Sequence, residues 1–93
     1  MEIKDNQLLR QFETQTDSGL LVMEYAMQER KLFLTKLHHS EELDLDYIND
    51  FIKAVLAIAE ERKFKVVPTH PKVAHFFRKN PIYKELLPPG IKL

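Results

Sequence analysis

The chain has 93 residues, which is the length of one small domain, and we predict a single domain spanning residues 1–93. Hydrophobic residues make up 44% and charged residues 30%, as in globular proteins, and no apolar run approaches the ~18–20 residues of a membrane-spanning helix. Lysine plus arginine and aspartate plus glutamate both number 14, so the zero net charge gives no support to a general polyanion-binding role.

The start of the predicted sheet has two features. Leu8 and Phe12 lie in a stretch that alternates in hydrophobicity, and their even spacing puts them on one face of a first strand at residues 8–13. The cluster Asp17-Ser18-Gly19 follows, and it is typical of a turn because glycine adopts positive φ without steric cost. The sequence therefore predicts a first strand that ends before a tight turn.

A second and a third strand follow at short spacing. The run Leu20–Gln28 has apolar residues at both odd and even positions, so we expect a strand that is buried on both faces. A polar turn at residues 29–31 separates it from Leu32–Leu37, the third strand. Because short connections join neighbouring antiparallel strands, we expect these strands to form an antiparallel meander.

The hydrophobic period changes after Leu43 and predicts a long helix. Apolar residues recur there at steps of three and four, which gives the helix one wide apolar stripe. Asp44 or Asp46 can cap the start of this helix by accepting backbone N–H bonds. The stripe comprises Tyr47, Ile48, Phe51, Ile52, Val55, Leu56, Ile58 and Ala59.

The last third predicts a short strand, a second helix and a terminal helical turn. Phe64–Val67 is rich in β-strand formers, and Pro68 ends it. Thr69 or His70 can cap a second helix with Pro71 at its first position. The inward-facing residues are predicted to be Val73, Ala74, Phe76 and Phe77 in this helix and Ile82, Tyr83, Leu86 and Leu87 in the turn that starts at Pro81, with Pro88-Pro89-Gly90 ending the ordered structure.

The predicted fold class is therefore α+β, with the element order βββαβα and a mainly antiparallel sheet flanked by helices. Acidic and basic residues are unevenly distributed along this order of elements. Residues 41–61 contain seven acidic residues and one basic residue, whereas residues 62–93 contain eight basic residues and one acidic residue. This asymmetry indicates two oppositely charged surfaces, which influence where a charged ligand can dock.

Several of these segments resemble a small group within the GNAT acetyltransferase superfamily. The resemblance is carried by Leu32-Phe33-Leu34-Thr35, by the long helix, by Phe64-Lys65-Val66-Val67-Pro68 and by the stretch from Val73 to Tyr83 that contains Asn80-Pro81-Ile82-Tyr83. It extends from about Phe12 to Leu87, and it is strongest in the C-terminal third. The order of elements in that group, a GNAT-like βββαβα, agrees with the order predicted from periodicity.

The resemblance implies an N-acetyltransferase that moves the acetyl group of acetyl-CoA to an amine. In GNAT proteins the pyrophosphate of the cofactor lies on backbone N–H groups of a glycine-rich loop at the start of the long helix. The pantetheine arm pairs with the edge of the preceding strand. Carried onto this sequence, the cofactor-binding positions are Leu34, Thr35, Asp44, Leu45, Asp46, Tyr47, Ile48 and Asn80.

The chain departs from the family at the start of the long helix. It has Asp44-Leu45-Asp46-Tyr47 in place of the glycine-rich loop, and its only glycines are Gly19 and Gly90. Two like charges ~5 Å apart repel by roughly 1 kcal/mol in water and by more in a partly desolvated site. The attraction of the helix dipole for an anion is about 0.3–1 kcal/mol. We therefore expect the carboxylates to oppose a pyrophosphate and to impair CoA binding.

The second departure concerns the chemistry. His70 stands where the family has a cysteine after Val-Val-Pro. A histidine can act as a general base near neutral pH, so the resemblance makes His70 the candidate catalytic residue. The alternative is that His70 caps the second helix or is a solvated side chain.

Other classes of site are not favoured. His38 and His39 are adjacent, so in an extended chain they point to opposite faces and do not easily share a metal ion. Asp44, Asp46 and Asp50 offer oxygen ligands but lack the pattern of a calcium loop, and we predict no metal. Nucleic acid is not expected as a partner, because the second helix needs its aromatic residues for the core.

Three functions therefore remain open. The first is a GNAT-like N-acetyltransferase, and the second is a non-catalytic GNAT-fold binding module that has lost CoA binding. The third binds another acyl or anionic small molecule through Lys63, Arg78 and Lys79. With no cysteine and no signal-peptide pattern at Met1–Asp5, we expect a cytoplasmic protein without a membrane partner, either a monomer or a homodimer.

Overall fold

The computed structural model describes residues 1–93 and has the α+β class that the sequence predicts. It contains five strands, two α-helices and a short 3₁₀ helix. No helix combines the length and the apolar character that a membrane span requires. The elements are β1 (Lys4–Asn6), β2 (Gln11–Thr16), β3 (Gly19–Gln28), β4 (Lys31–His38), α1 (Leu45–Glu61), β5 (Lys65–Pro68), α2 (Pro71–Lys79) and the 3₁₀ helix (Pro81–Leu86).

The five strands form one open sheet in the order β1-β2-β3-β4-β5. The first four are antiparallel neighbours, which confirms the predicted meander and adds one strand to it. β5 is parallel to β4 because α1 carries the chain back across the sheet between them. The predicted order βββαβα lacked β1, whose three polar residues show no alternation of hydrophobicity.

The first strand of the prediction was placed too early in the chain. Leu8 does not share a face with Phe12, because it lies in the turn between β1 and β2 and is 92% exposed. Arg10, the last residue before β2, has φ 53° and lets the chain turn into the strand. Phe12 is buried opposite Met23 of β3, so the alternation that places residues in the core begins at β2.

The hydrophobic core lies on one face of the sheet. The buried side chains of α1 and α2 join a single cluster with those of β2, β3, β4 and β5. The prediction that β3 is buried on both faces is therefore wrong for its second face, where Leu20 is 46% exposed and Ala26 is exposed. Val22 is the exception on that face and is buried. Both helices cover the same side of the sheet, and apolar content alone does not reveal this.

An irregularity in β4 shapes the sheet next to the helices. Glu24 pairs with Lys36 while Tyr25 pairs with Leu34, so Thr35 is an extra residue in β4. Such a bulge bends the strand locally. β5 pairs only with Lys31–Leu34 of β4, so the last four residues of β4 have no strand partner on that side.

The helix ends resolve the alternatives that the sequence left open. Asp44, not Asp46, caps α1, and His70, not Thr69, caps α2. Pro71 is the first residue of α2, as predicted. At the other end of α1, the Arg30 guanidinium donates to the carbonyl oxygen of Arg62 at 2.7 Å, which places a cation at the negative end of the helix.

The C-terminal segment corrects two further predictions. Ile82 does not face inward and is 80% exposed, because the 3₁₀ helix turns that position toward solvent. Tyr83 contacts Phe76, with 5.3 Å between the ring centroids, and Leu86 is buried. Order does not end at the Pro-Pro-Gly segment, since Pro88 is buried and Leu93 packs against the core.

Candidate functional site

The candidate site lies where the unpaired end of β4 meets the start of α2. The backbone N–H of His70 and the hydroxyl of Thr69 both donate to the carbonyl oxygen of Leu34, at 3.0 and 2.8 Å. Lys72, in the first turn of α2, places its ammonium 2.8 Å from Nε2 of His39, just beyond the end of β4. The start of α2 is therefore fixed against β4.

The start of α1 does not fit a diphosphate. The carboxylate of Asp44 accepts the backbone N–H of Tyr47 at 2.8 Å, so the protein itself uses a donor that a phosphate would need. Asp46 is an exposed carboxylate in the first turn of the same helix. The two negative charges repel an anionic ligand at the start of α1, and one backbone donor that such a ligand would need is already bonded. We therefore derive no reaction step through CoA phosphates at this position.

A groove of about 490 Å³ runs between α1 and α2. Its floor contains Ile48, Ile52 and Phe76, which also belong to the hydrophobic core. Three of the positions predicted to bind the cofactor line this groove, namely Leu45, Ile48 and Asn80. The predicted positions Leu34, Thr35, Asp44, Asp46 and Tyr47 and the candidate catalytic residue His70 do not line it.

The wall of the groove formed by α2 is basic. Lys72, His75 and Lys79 line it, and their spacing of three and four residues places them on one face of the helix. All three are exposed. We did not predict this row, although the helical period contains the signal, because we grouped Lys79 with Arg78 and Lys63.

That earlier group does not form one site. Arg78 is absent from the residues that line the groove, while Lys79 is among them. Lys63 lines a different depression, beyond the end of α1, together with Glu60 and Glu85. The three cations predicted to hold an anionic ligand therefore do not share a concave surface.

His70 has a structural contact at the nitrogen that a general base would use. Its Nδ1 accepts the backbone N–H of Lys72 at 3.1 Å, so the neutral ring carries its proton on Nε2. Burial, followed by the positive charge of Lys72, lowers the pKa of His70. The ring is neutral near pH 7, but it can take up a proton at Nδ1 only by giving up the cap. Its catalytic role stays a prediction.

The remaining predicted positions, Leu34, Thr35 and Asn80, make hydrogen bonds within the fold. Leu34 is fully buried, and its carbonyl oxygen holds the start of α2. The hydroxyl of Thr35 donates to the carbonyl oxygen of Glu24 at 3.2 Å. The Asn80 side chain donates to the carbonyl oxygen of Phe76 at 2.9 Å, which leaves its amide oxygen as the acceptor that can face the groove.

The nearby histidines do not form a metal site. His38 contacts Glu24, and Nε2 of His39 accepts from Lys72. No three side chains among histidine, cysteine, aspartate and glutamate come together in a way that could hold a metal ion.

Comparison with known proteins adds no assignment to this geometry. A scan against models of protein families finds no match. A search of curated protein sequences finds no significant similarity.

Proposed function

We propose that this chain is a GNAT-like domain that binds acetyl-CoA or a related elongated anion in the groove between α1 and α2, and that its reaction is N-acetyl transfer to an amine. The observation that carries the proposal is the lining of the groove. It combines three predicted cofactor positions, Leu45, Ile48 and Asn80, with a basic row on α2. The phosphates of the ligand would lie on this row and not at the start of α1.

The unpaired end of β4 is a second feature that suits such a ligand. Residues 35–38 have no strand partner on the β5 side, so the edge of the strand is free to accept an extended arm. Strand edges bind extended chains through main-chain hydrogen bonds, and a pantetheine arm carries amide groups of the same kind. Lys72, at the start of α2, lines the groove and also contacts His39, just beyond this edge.

A non-catalytic binding module is the second candidate, and a separate observation favours it. The Asp44 carboxylate occupies the Tyr47 amide, and Asp46 adds a second charge, so the usual diphosphate contact of the family is missing. His70 is used as a helix cap. A domain with these two changes can keep the groove and bind an anionic small molecule without transferring an acetyl group.

Titration with CoA, followed by calorimetry and by NMR shifts of backbone amides, tests the binding. We expect millimolar CoA to shift the amides of Leu45, Ile48 and Asn80 and to raise the Tm, because a ligand at 100 times its Kd adds about 2.7 kcal/mol to stability. The double variant Lys72→Gln/Lys79→Gln should weaken binding at least roughly tenfold, since hydrogen bonds to charged groups contribute about 1.5–3 kcal/mol.

The control is Arg78→Gln, which removes one cation from the exposed face of the same helix without touching the groove. An absence of any CoA-induced change, or equal losses in the control and in the double variant, would disprove binding in the groove. Release of free thiol from acetyl-CoA in the presence of an amine mixture separates the candidates. Binding without thiol release identifies the non-catalytic module.

A further inference from the structure

A second cavity lies at the opposite end of α1, near the turn that joins β1 to β2. Its volume is about 360 Å³, which falls in the range of small-molecule sites. Its walls are mainly apolar and include Phe12, Met27, Leu32, Ile58 and Phe64. We call this cavity the turn pocket.

A partly buried carboxylate lies on the polar side of the turn pocket. Asp5 accepts the Tyr25 hydroxyl at 2.6 Å and an N–H of the Arg62 guanidinium at 2.7 Å, and its side chain is only 12% exposed. Burial alone would raise the pKa of Asp5, but the hydrogen bonds from Tyr25 and Arg62 and the charge of Arg62 outweigh it and lower the pKa. The carboxylate is therefore ionised, and both of its oxygens have partners.

The residues that line the turn pocket carry one more positive charge than negative charge. Arg10 and Arg62 both line it, and Asp5 is the only acidic side chain among the lining residues. The two ion pairs of the chain are Arg62 with Asp5 and His38 with Glu24, so Arg10 has no ionic partner. Arg62 uses one of its five N–H donors on Asp5. Unused guanidinium donors therefore adjoin an apolar cavity.

We propose that the turn pocket binds a small organic monocarboxylate with an apolar body. The carboxylate of the ligand accepts from Arg10 and from the free donors of Arg62, and the apolar body packs against the partly exposed side chains of Met27, Ile58 and Phe64. Guanidinium groups bind carboxylates strongly because two parallel N–H donors match the two oxygens. A cationic ligand is not favoured, since Asp5 already has its partners and Arg10 would repel the cation.

This site is separate from the groove of the proposed function. The groove uses Leu45 and Ile48 near the start of α1, whereas the turn pocket uses Ile58 and Arg62 near its end. Ten residues of helix span about 15 Å. The inference therefore stands whether or not CoA binds.

Three probes with one apolar body test the charge requirement: phenylpropanoate, phenylpropanol and phenylpropylamine. NMR titration at millimolar concentration should show that phenylpropanoate shifts the amides of Arg10, Tyr25 and Phe64. The alcohol should bind at least roughly tenfold more weakly, because it lacks the charge-assisted hydrogen bonds. The amine should bind more weakly than the alcohol.

Arg10→Gln should reduce the affinity for phenylpropanoate roughly ten- to a hundredfold. Arg10→Lys keeps the charge and should retain part of the affinity, and Arg78→Gln, which lies outside the pocket, should leave it unchanged. Arg10 is exposed and has no ion pair, so these variants should fold. No shift at millimolar phenylpropanoate, equal binding of the alcohol or the amine, or full affinity of Arg10→Gln would overturn the proposal.

Discussion

Two carboxylates lie at opposite ends of α1 and have different structural roles. Asp44 is exposed and accepts a backbone N–H of its own helix, so its effect is local. Asp5 is nearly buried and joins Tyr25 of β3 to Arg62 at the end of the helix. The same chemical group thus occupies a backbone donor at one end of α1, and at the other end it holds an arginine in place.

The difference shows that the effect of a charged side chain depends on whether another residue pairs with it. Residues 41–61 are strongly acidic in sequence, yet the groove beside them has a basic wall supplied by α2. In the turn pocket the carboxylate is satisfied, and the unpaired group is a guanidinium. A sum of charges along the chain predicts the basic character of α2 but not which groups in the turn pocket are paired.

Removing the partly buried carboxylate of Asp5 should have the largest effect on stability. We expect Asp5→Ala to lower the free energy of unfolding by about 1–3 kcal/mol in urea denaturation, because Tyr25 and Arg62 lose their partner. Asp5→Asn, which keeps acceptor and shape, should cost less. The pKa of Tyr25, which burial and then the bond to Asp5 raise to about 12, should fall toward 10.0 in both variants.

The pH dependence of this contribution has a definite sign. Because the pKa of Asp5 is lowered on folding, its stabilisation is complete above the unfolded value of 3.8 and is lost as pH falls through the folded pKa. The stability difference between wild type and Asp5→Asn should therefore shrink below pH 3.8. A difference that stays constant to lower pH would show that Asp5 acts through shape and not through charge.

A change at the other end of α1 should have a smaller effect and should separate the cap from the charge. Asp44→Ala is expected to cost about 1 kcal/mol, the usual cost of losing an N-cap. Asp44→Ser keeps a cap and removes the negative charge, so stability should change little while affinity for CoA increases. If Asp44→Ser leaves CoA binding unchanged, the carboxylate is not what opposes the ligand.

The smallest effect should come from His70. Its pKa is lowered on folding by burial and by the neighbouring positive charges, so its contribution to stability is present above the unfolded value of 6.5 and is lost as pH falls. The Tm of the wild type should therefore fall more between pH 7.5 and pH 5 than that of His70→Asn, which keeps a capping side chain. Parallel Tm curves for the two proteins would contradict this.

Periodicity predicted most of the fold because it reflects which residues a regular element can bury. The stripe of α1 and the aromatic residues Phe76 and Phe77 of α2 all enter the core or its edge, as expected from helical spacing. The predictions that failed concern features that depend on contacts between different elements. The three polar residues of β1 form a strand only because β2 pairs with them. The exposure of Leu20 depends on which side of the sheet the helices cover.

The sites were harder to predict for the same reason. Leu45, Ile48 and Asn80 were identified as candidate ligand positions through resemblance to a family, and the structure places them along one groove. The basic row of α2 was within reach of helical spacing alone. The turn pocket was not, because Asp5, Tyr25 and Arg62 are far apart in sequence and meet only when the sheet and α1 are assembled.

The bond between Asp5 and Arg62 also has an entropic consequence. It joins positions 57 residues apart, so it closes most of the chain into a loop in a protein that has no cysteine. Small domains of secreted proteins often close such loops with a covalent crosslink, which restricts the unfolded chain permanently. A non-covalent link restricts only the folded chain. The long loop closed by this bond therefore adds nothing to the restriction of the unfolded chain, unlike a disulfide at the same positions.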